Sequence, residues 1–215
     1  MSSGPELQLL IIVYGSSEND PKGNSGQRHE HADPYDQRRV EIEFRPRVPD
    51  VSMLKYHSKM QAWANGVLVL LAPDVKHTQK WLCMFCDKPA RETDYQMASW
   101  MHLNPPKLNV YVHHLCDADH GTCAANLKGV HMMTAISAGQ LPPLPSPPGP
   151  KLPEDTFPRA ASCGYCKREE TANANLSRCS KCKLIRYCSP NCQRGDWGRH
   201  KRVCKIVKKV EWVWK

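Results

Sequence analysis

The stretch CSKCKLIRYCSPNCQRGDWGRHKRVC, residues 179–204, decides how the C-terminal part of this chain folds. It contains five closely spaced cysteines and one histidine: Cys179, Cys182, Cys188, Cys192, His200 and Cys204. Two further cysteines, Cys163 and Cys166, precede it. The eight residues give the pattern Cys-x2-Cys-x12-Cys-x2-Cys-x5-Cys-x3-Cys-x7-His-x3-Cys. Because a structural zinc ion takes four such ligands, the pattern predicts two zinc ions with no ligand left over.

Helix signals in the same stretch agree with the ligand spacing. Ser189 and Pro190 are typical of a helix N-cap and first helical position. Asp196 is predicted to be the N-cap of a second helix. On that helix His200 and Cys204 lie four residues apart and share a face. About forty residues bury too little apolar surface to fold without such ligation. We therefore expect a metal-dominated module with short helices.

This pattern resembles the MYND-type zinc finger. All eight ligand positions match the family over residues 163–204, and YCSPNCQRGDW resembles its characteristic stretch around the fifth and sixth ligands. The resemblance implies interleaved ligand sets. One zinc would be bound by Cys163, Cys166, Cys188 and Cys192. The other would be bound by Cys179, Cys182, His200 and Cys204. Four protein ligands leave no open position on the metal, so both ions would be structural.

The same resemblance implies a protein-interaction module that takes short proline-containing peptides in a groove. By position, Gln193 and Trp197 would line that groove. The alternative is that Trp197 packs against the helices as part of a small core. Many family members join the finger to a SET methyltransferase domain. Such a domain needs a long additional segment and an Asn-His motif for the methyl donor, and we find neither. We therefore expect a protein that is not an enzyme.

Residues 1–50 contain two strand-like runs, at 7–14 and 38–48, with apolar residues alternating in the second. Between them lies a polar segment, residues 15–37, which is predicted to be a disordered loop. Residues 51–135 are predicted to form a small cysteine-bearing α+β domain. Its expected elements are a helix from Asp50 or Ser52 to Gly66 and buried strands at VLVLLAP (67–73) and LNVYVHHLC (108–116).

A proline-rich segment and a basic segment flank the predicted finger at 161–204. Residues 136–160 include eight prolines between positions 141 and 158 and are predicted to be a semi-rigid linker. A docking motif for SH3-type domains is the alternative, although no basic residue follows its PxxP spacings at the usual place. Residues 205–215 are predicted to be a basic amphipathic helical tail. Packing of the tail on the protein is expected first, and binding to a partner groove, an acidic membrane or nucleic acid is the alternative.

A third metal site is predicted upstream of the linker, which would make the α+β domain zinc-stabilised. Its four ligands would be Cys83, Cys86, Cys116 and Cys123. Any of three nearby histidines could replace one of them: His113, His114 or His120. Four buried free cysteines are the structural alternative. An enzymatic alternative uses Cys116 as a nucleophile with His120 and Asp117.

Charge and cysteine content limit the function classes. The formal charge is +9, but zinc-bound thiolates would reduce it to about +6 with two sites and about +4 with three. No signal peptide is indicated, and no apolar run approaches the roughly 20 residues of a membrane span. The 11 cysteines then indicate metal ligands in a reducing, intracellular setting.

The sequence therefore predicts an intracellular adaptor or regulator with two or three zinc ions that binds proline-containing partners. The alternative is a nucleic-acid-associated regulator that uses the basic C-terminal region.

Overall fold

A computed structural model of the chain describes residues 4–17, 38–139, 141 and 147–212. These residues form a mixed α+β arrangement, which confirms the predicted class. The strands are β1 (Gln8–Tyr14), β2 (Ser16–Ser17), β3 (Arg38–Phe44), β4 (Trp81–Leu82), β5 (Glu92–Trp100), β6 (Lys107–Leu115), β7 (Ser177–Arg178), β8 (Arg186–Tyr187) and β9 (Val207–Trp212). The helices are α1 (His57–Lys76), α2 (Gly121–Ser137) and α3 (Pro190–Ile206), with short 3-10 helices at Val51–Lys55 and Glu169–Asn173. Among the described residues, no helix combines the length and apolarity needed to cross a membrane.

A five-stranded sheet with the order β5-β6-β1-β3-β9 organises the structure. β1 and β6 are parallel, and the other neighbouring strands are antiparallel. Leu9, Ile11 and Val13 of β1 are fully buried in the same core as the apolar residues of α1. The strands predicted at 7–14 and 108–116 are confirmed, whereas the strand predicted at 38–48 ends at Phe44.

The polar loop predicted at 15–37 lies almost entirely outside the described residues. Of its first residues, Ser16 and Ser17 form β2, which pairs with β4. The prediction of disorder for the remainder is therefore not addressed by the described part of the chain.

The helix predicted to end at Gly66 continues to Lys76, so the prediction of a strand at 67–73 is wrong. Asp50 does act as an N-cap, but of the 3-10 helix that precedes α1. The buried apolar residues of α1 recur at helical spacing: Met60, Ala64, Leu68, Leu71 and Val75. Val69, in the middle of the apolar run, is 75% exposed. The run is apolar because one side of a helix packs on the sheet, and not because it is a buried strand.

The predicted helical tail at 205–215 is also wrong, because α3 ends at Ile206 and β9 follows. β9 pairs antiparallel with β3, so that Val210 lies opposite Ile42 and Trp212 opposite Val40. Without β9 the edge of β3 would expose unpaired backbone groups, and pairing with β9 satisfies them. The C-terminal segment thus joins the sheet of the first domain directly, and the first domain comprises β1 to β6 with α1 and α2.

The predicted second helix starting at Asp196 is not separate. α3 is continuous, and Ser189 caps its N-terminus by accepting a hydrogen bond from the Cys192 N–H at 3.2 Å. Asp196 lies inside α3, is buried, and accepts a hydrogen bond from the Tyr187 hydroxyl at 2.8 Å. Its side chain is therefore used for packing between α3 and β8 rather than for capping.

The predicted linker at 136–160 is only partly a linker, since α2 extends through Ser137. The described residues 147–160 lie along the first domain. The Gly149 carbonyl is 2.9 Å from His120 Nε2, and the Ala160 N–H donates to the Ala90 carbonyl at 2.8 Å. Ala160 is fully buried. The cysteine-rich C-terminal part consequently begins on the surface of the first domain instead of at the end of a free spacer.

Two buried side chains fix the C-terminal part against the end of α1. Arg186 donates to the His77 carbonyl at 3.2 Å and to the carbonyls of Ala160 and Ala161. Burial lowers the pKa of His77 to about 3, so its ring is neutral at physiological pH. Its Nδ1–H group lies 3.2 Å from the Ala160 carbonyl and 3.0 Å from the Ser162 carbonyl.

Candidate metal centres

Three Cys-x2-Cys turns in the chain share one backbone conformation. In each turn the residue after the second cysteine has a positive φ: Asp87 (59°), Lys167 (57°) and Lys183 (60°). The N–H group of that residue donates to the carbonyl of the first cysteine at 3.1, 3.0 and 2.9 Å, respectively. No other non-glycine residue in the described part of the chain has a positive φ. Because this conformation is uncommon for such residues, its repetition marks the three turns as one type of structure.

The structure brings together one set of four cysteines at the start of α3. Its members are Cys163, Cys166, Cys188 and Cys192, whose sulfur atoms all lie within 4.8 Å of one another. The Cys188 sulfur is 3.8 Å from that of Cys166 and 3.4 Å from that of Cys192. The turn at Cys163 supplies one pair of sulfurs, and the end of β8 with the first turn of α3 supplies the other.

A second set lies on the buried side of the same helix. Its members are Cys179, Cys182, His200 and Cys204, and all four are buried. His200 Nε2 is 3.6 Å from the Cys182 sulfur, and the sulfurs of Cys179 and Cys204 are 4.0 Å apart. The structure thus groups the eight residues in the interleaved manner that the resemblance implied.

The first domain supplies the residue that orients His200. Asp74 of α1 is fully buried and accepts a hydrogen bond from His200 Nδ1 and another from Arg199. With its proton on Nδ1, the His200 ring presents Nε2 to the three sulfurs of its set. Asp74 lies 126 residues before His200, so no local sequence signal connects the two.

The chemistry of both donor sets fits zinc. Burial and the neighbouring sulfurs raise the pKa of Cys188 to about 12, because one thiolate disfavours the ionisation of the next. Burial also tends to raise the pKa of Cys179, but hydrogen bonds from the Cys182 backbone and from His200 lower it to about 7. A divalent cation allows all the thiols of a set to ionise together. Four cysteines, or three with one histidine, are ligand sets of structural zinc.

The third set comprises the upstream cysteines Cys83, Cys86, Cys116 and Cys123, whose sulfurs also lie within 4.8 Å of one another. The sulfurs of Cys86 and Cys116 are 3.6 Å apart. Burial and the adjacent sulfurs raise the pKa of Cys123 to about 12. Cys83 is fully buried, whereas Cys86 is exposed. The third set therefore has the same donors and the same turn as the first set, at the edge of the first domain.

The three histidines near this set have other neighbours. His113 lies 3.4 Å from Asp94, measured between Nδ1 and Oδ2. His114 stacks on Trp81, with ring centroids 4.9 Å apart. The Nε2 atom of His120 is 2.9 Å from the Gly149 carbonyl. The structure therefore groups the four cysteines without a histidine.

The thiol-nucleophile alternative finds no support in this geometry. Nδ1 of His120 faces Asp117 at 3.5 Å, and its Nε2 faces the Gly149 carbonyl. The Cys116 sulfur instead faces that of Cys86, and burial with the surrounding sulfurs raises its pKa. A nucleophilic cysteine needs an adjacent base or a lowered pKa. In the described part of the chain, neither is present at Cys116.

The two residues assigned to a peptide groove lie four positions apart on α3. Trp197 is 45% exposed, and its ring centroid is 5.9 Å from that of His200. Gln193 is partly exposed. Trp197 therefore packs beside His200 of the second set with one part of its ring and presents the remainder to solvent. It is not enclosed as a core residue.

Comparison with known proteins agrees with this geometry. Residues 163–204 match the MYND finger family model. Over 44 residues the chain is 48% identical to SET domain-containing protein 14 of Caenorhabditis elegans and 49% identical to N-lysine methyltransferase SMYD2-A of Danio rerio. It is 44% identical over 43 residues to histone-lysine N-methyltransferase SMYD3 of Homo sapiens.

Each of these matches covers 20% of this chain and 10% of the relative, so the chain spans about a tenth of the length of the curated relatives it matches. No solved structure matches the chain. The similarity thus concerns the C-terminal ligand sets alone. Residues 163–204 are a MYND finger, a zinc-binding protein-interaction module.

Proposed function

We propose that this chain is a non-enzymatic, intracellular adaptor whose MYND finger binds proline-containing peptides through Gln193 and Trp197. In this proposal the zinc ions are structural: two are bound by the ligand sets of the finger and a third by the upstream cysteines. Each set has four protein ligands, which leaves no position on the metal for a substrate or a reactive water.

The observation that carries the proposal is the exposed indole of Trp197. Tryptophan at 45% exposure, fixed against the buried ring of His200, is a rigid aromatic surface of the kind that dominates protein-binding sites. The first domain does not cover it, because α1 contacts another side of α3. There Arg199 donates to the Leu70 carbonyl at 3.1 Å and pairs with Asp74.

The third zinc is supported by the shared turn. The turn at Cys83 and Cys86 has the same left-handed residue and the same hydrogen bond as the two turns of the finger. A zinc at this place would crosslink three parts of the first domain, namely the turn after β4, the end of β6 and the start of α2. Such a crosslink stabilises a part of the domain where the local cluster of buried apolar residues is small: Cys83, Met84, Leu115, Cys123 and Leu127.

The proposal is tested by screening the zinc-loaded full chain against a library of proline-containing peptides that includes Pro-x-Leu-x-Pro. We expect binding to the wild-type chain and a loss of at least tenfold in affinity for Trp197→Ala, because truncating a central aromatic residue costs about 2 kcal/mol or more. Trp100→Ala is the matched control, since Trp100 is 38% exposed but lies on β5. Equal zinc content in all three proteins shows that the finger is intact.

Two outcomes would overturn the proposal: no peptide binding by the wild-type chain, or equal binding by Trp197→Ala. The second candidate function, nucleic-acid association, rests on Lys208 and Lys209, which are exposed on the edge strand β9. It predicts retention on DNA or RNA at low salt that weakens steeply as salt is raised. Absence of retention at low salt removes that candidate.

A further inference from the structure

A fourth group of metal-binding side chains lies on the sheet, separate from the three cysteine sets. Asp94 of β5 and His113 of β6 are direct partners in the antiparallel register, so their side chains lie on the same face. His131 of α2 lies above them. Its Nε2 is 2.9 Å from Asp94 Oδ2, and His113 Nδ1 is 3.4 Å from the same oxygen. The three donor atoms all lie within 4.8 Å of one another.

His113 supplies an independent indication that this group binds a ligand. Its side chain is only 6% exposed, yet its Nδ1 atom has no hydrogen-bond partner among the described residues. Asp94 Oδ2 faces this nitrogen at 3.4 Å, which is longer than an ordinary N–H···O hydrogen bond. Tyr14 stacks on the His113 ring, with centroids 5.3 Å apart and planes 20° apart, which fixes the plane of the ring. A buried nitrogen that lacks a close hydrogen-bond partner is suited to a ligand that the protein does not itself supply.

We propose that Asp94, His113 and His131 bind one divalent transition-metal ion, with zinc as the first candidate. Two imidazole nitrogens and one carboxylate oxygen are a recurrent donor set for such ions. Bonds of about 2.0–2.1 Å in a tetrahedral site separate the donor atoms by about 3.3 Å. The 3.4 Å between His113 Nδ1 and Asp94 Oδ2 already matches this separation, and the 2.9 Å between His131 Nε2 and the same oxygen is within a few tenths of an ångström of it.

This site differs from the cysteine sets in its donors and in its coordination. It has three protein ligands, so at least one position on the ion is left for water or an external ligand. The side chains of Asp94 and His131 are 22% and 24% exposed, which gives the ion access from solvent. With no thiolate ligand, the site should bind zinc more weakly and exchange it faster than the cysteine sets. The inference does not depend on peptide binding by the finger.

The test uses the full chain with its zinc retained after treatment with a weak chelator, titrated with Co²⁺ and followed by native mass spectrometry and visible absorption. We expect one further Co²⁺ per chain, without thiolate-to-cobalt charge-transfer absorption. His131→Ala should weaken this binding by at least tenfold, and Asp94→Asn should do the same. His102→Ala is the control, since His102 is exposed on the turn between β5 and β6.

Three results would overturn the inference. They are no Co²⁺ bound beyond the retained zinc, unchanged affinity in His131→Ala, or an equal loss of affinity in His102→Ala. His131 is only partly buried on the surface of α2, so its truncation should leave the fold intact. An unchanged circular dichroism spectrum of His131→Ala checks this directly.

Discussion

Replacement of Asp74 by asparagine should weaken one zinc site of the finger and leave the other unchanged. Asp74 belongs to α1 of the first domain, and its carboxylate accepts the Nδ1–H of His200. Asparagine keeps the shape of the side chain and one acceptor oxygen, but it removes the charge. The His200 ring then loses the charged acceptor that fixes its orientation and raises the basicity of Nε2.

The expected size follows from the hydrogen bond that is changed. A hydrogen bond to a charged group contributes about 1.5–3 kcal/mol, and about 1.4 kcal/mol corresponds to a tenfold change in affinity. Asp74 is fully buried, so solvent screening does not reduce this contribution. We therefore expect zinc at the set containing His200 to bind about 10–100-fold more weakly, which agrees with the effect of altering the acceptor behind a metal-bound histidine.

The assay is competition between the full chain and a series of chromogenic zinc chelators of graded affinity. In Asp74→Asn one zinc ion should transfer to a weaker chelator than in the wild type, while the remaining zinc transfers as before. Asp155→Asn is the control, because Asp155 is exposed in the segment before the finger. If Asp74→Asn released its zinc as the wild type does, Asp74 would not orient His200. If the affinity for all zinc ions fell equally, Asp74 would act only through the global stability of the fold.

Three other predictions concern stability. Burial lowers the pKa of Lys76 from 10.5 to about 8. Between these pH values the unfolded chain binds more protons than the folded chain, so the free energy of unfolding should rise with pH. In chemical denaturation, Lys76→Met should show a smaller rise than the wild type. Val210→Asp places a charge opposite Ile42 in the sheet and should lower the free energy of unfolding by about 1–3 kcal/mol. Lys208 is exposed on the same strand, so Lys208→Asp should change the urea midpoint little. Strong chelation should make residues 163–204 sensitive to protease and abolish their near-UV dichroism; survival of both signals would contradict structural zinc.

The sequence predicts the ligand-bearing segments well because their geometry is local. Each Cys-x2-Cys turn involves only five consecutive residues, and Ser189 caps α3 through a contact three residues away. The strand β1 is similarly evident, because its apolar run is short and β-branched residues are frequent in it. In each of these cases the residues that determine the structure lie next to one another.

The incorrect predictions concern segments whose structure depends on distant partners. The run at 67–73 fits a buried strand by its apolarity, and only the continuous packing of α1 on the sheet makes it helical. The spacing of the apolar residues in 207–212 predicts a helix, but pairing with the edge of β3 makes this segment a strand. The pairing of Asp74 with His200, and that of Asp94 with His131, cannot be read from local spacing because each joins separate elements.

The central claim, that each of the three Cys-x2-Cys turns contributes to one structural zinc site, is tested most directly by counting zinc. Purified full chain is treated with a weak chelator to remove exchangeable metal, and zinc per chain is determined by elemental analysis. We expect three zinc ions in the wild type and two in the double variant Cys83→Ser and Cys86→Ser. Two zinc ions in both proteins would contradict the claim and confine structural metal to the finger.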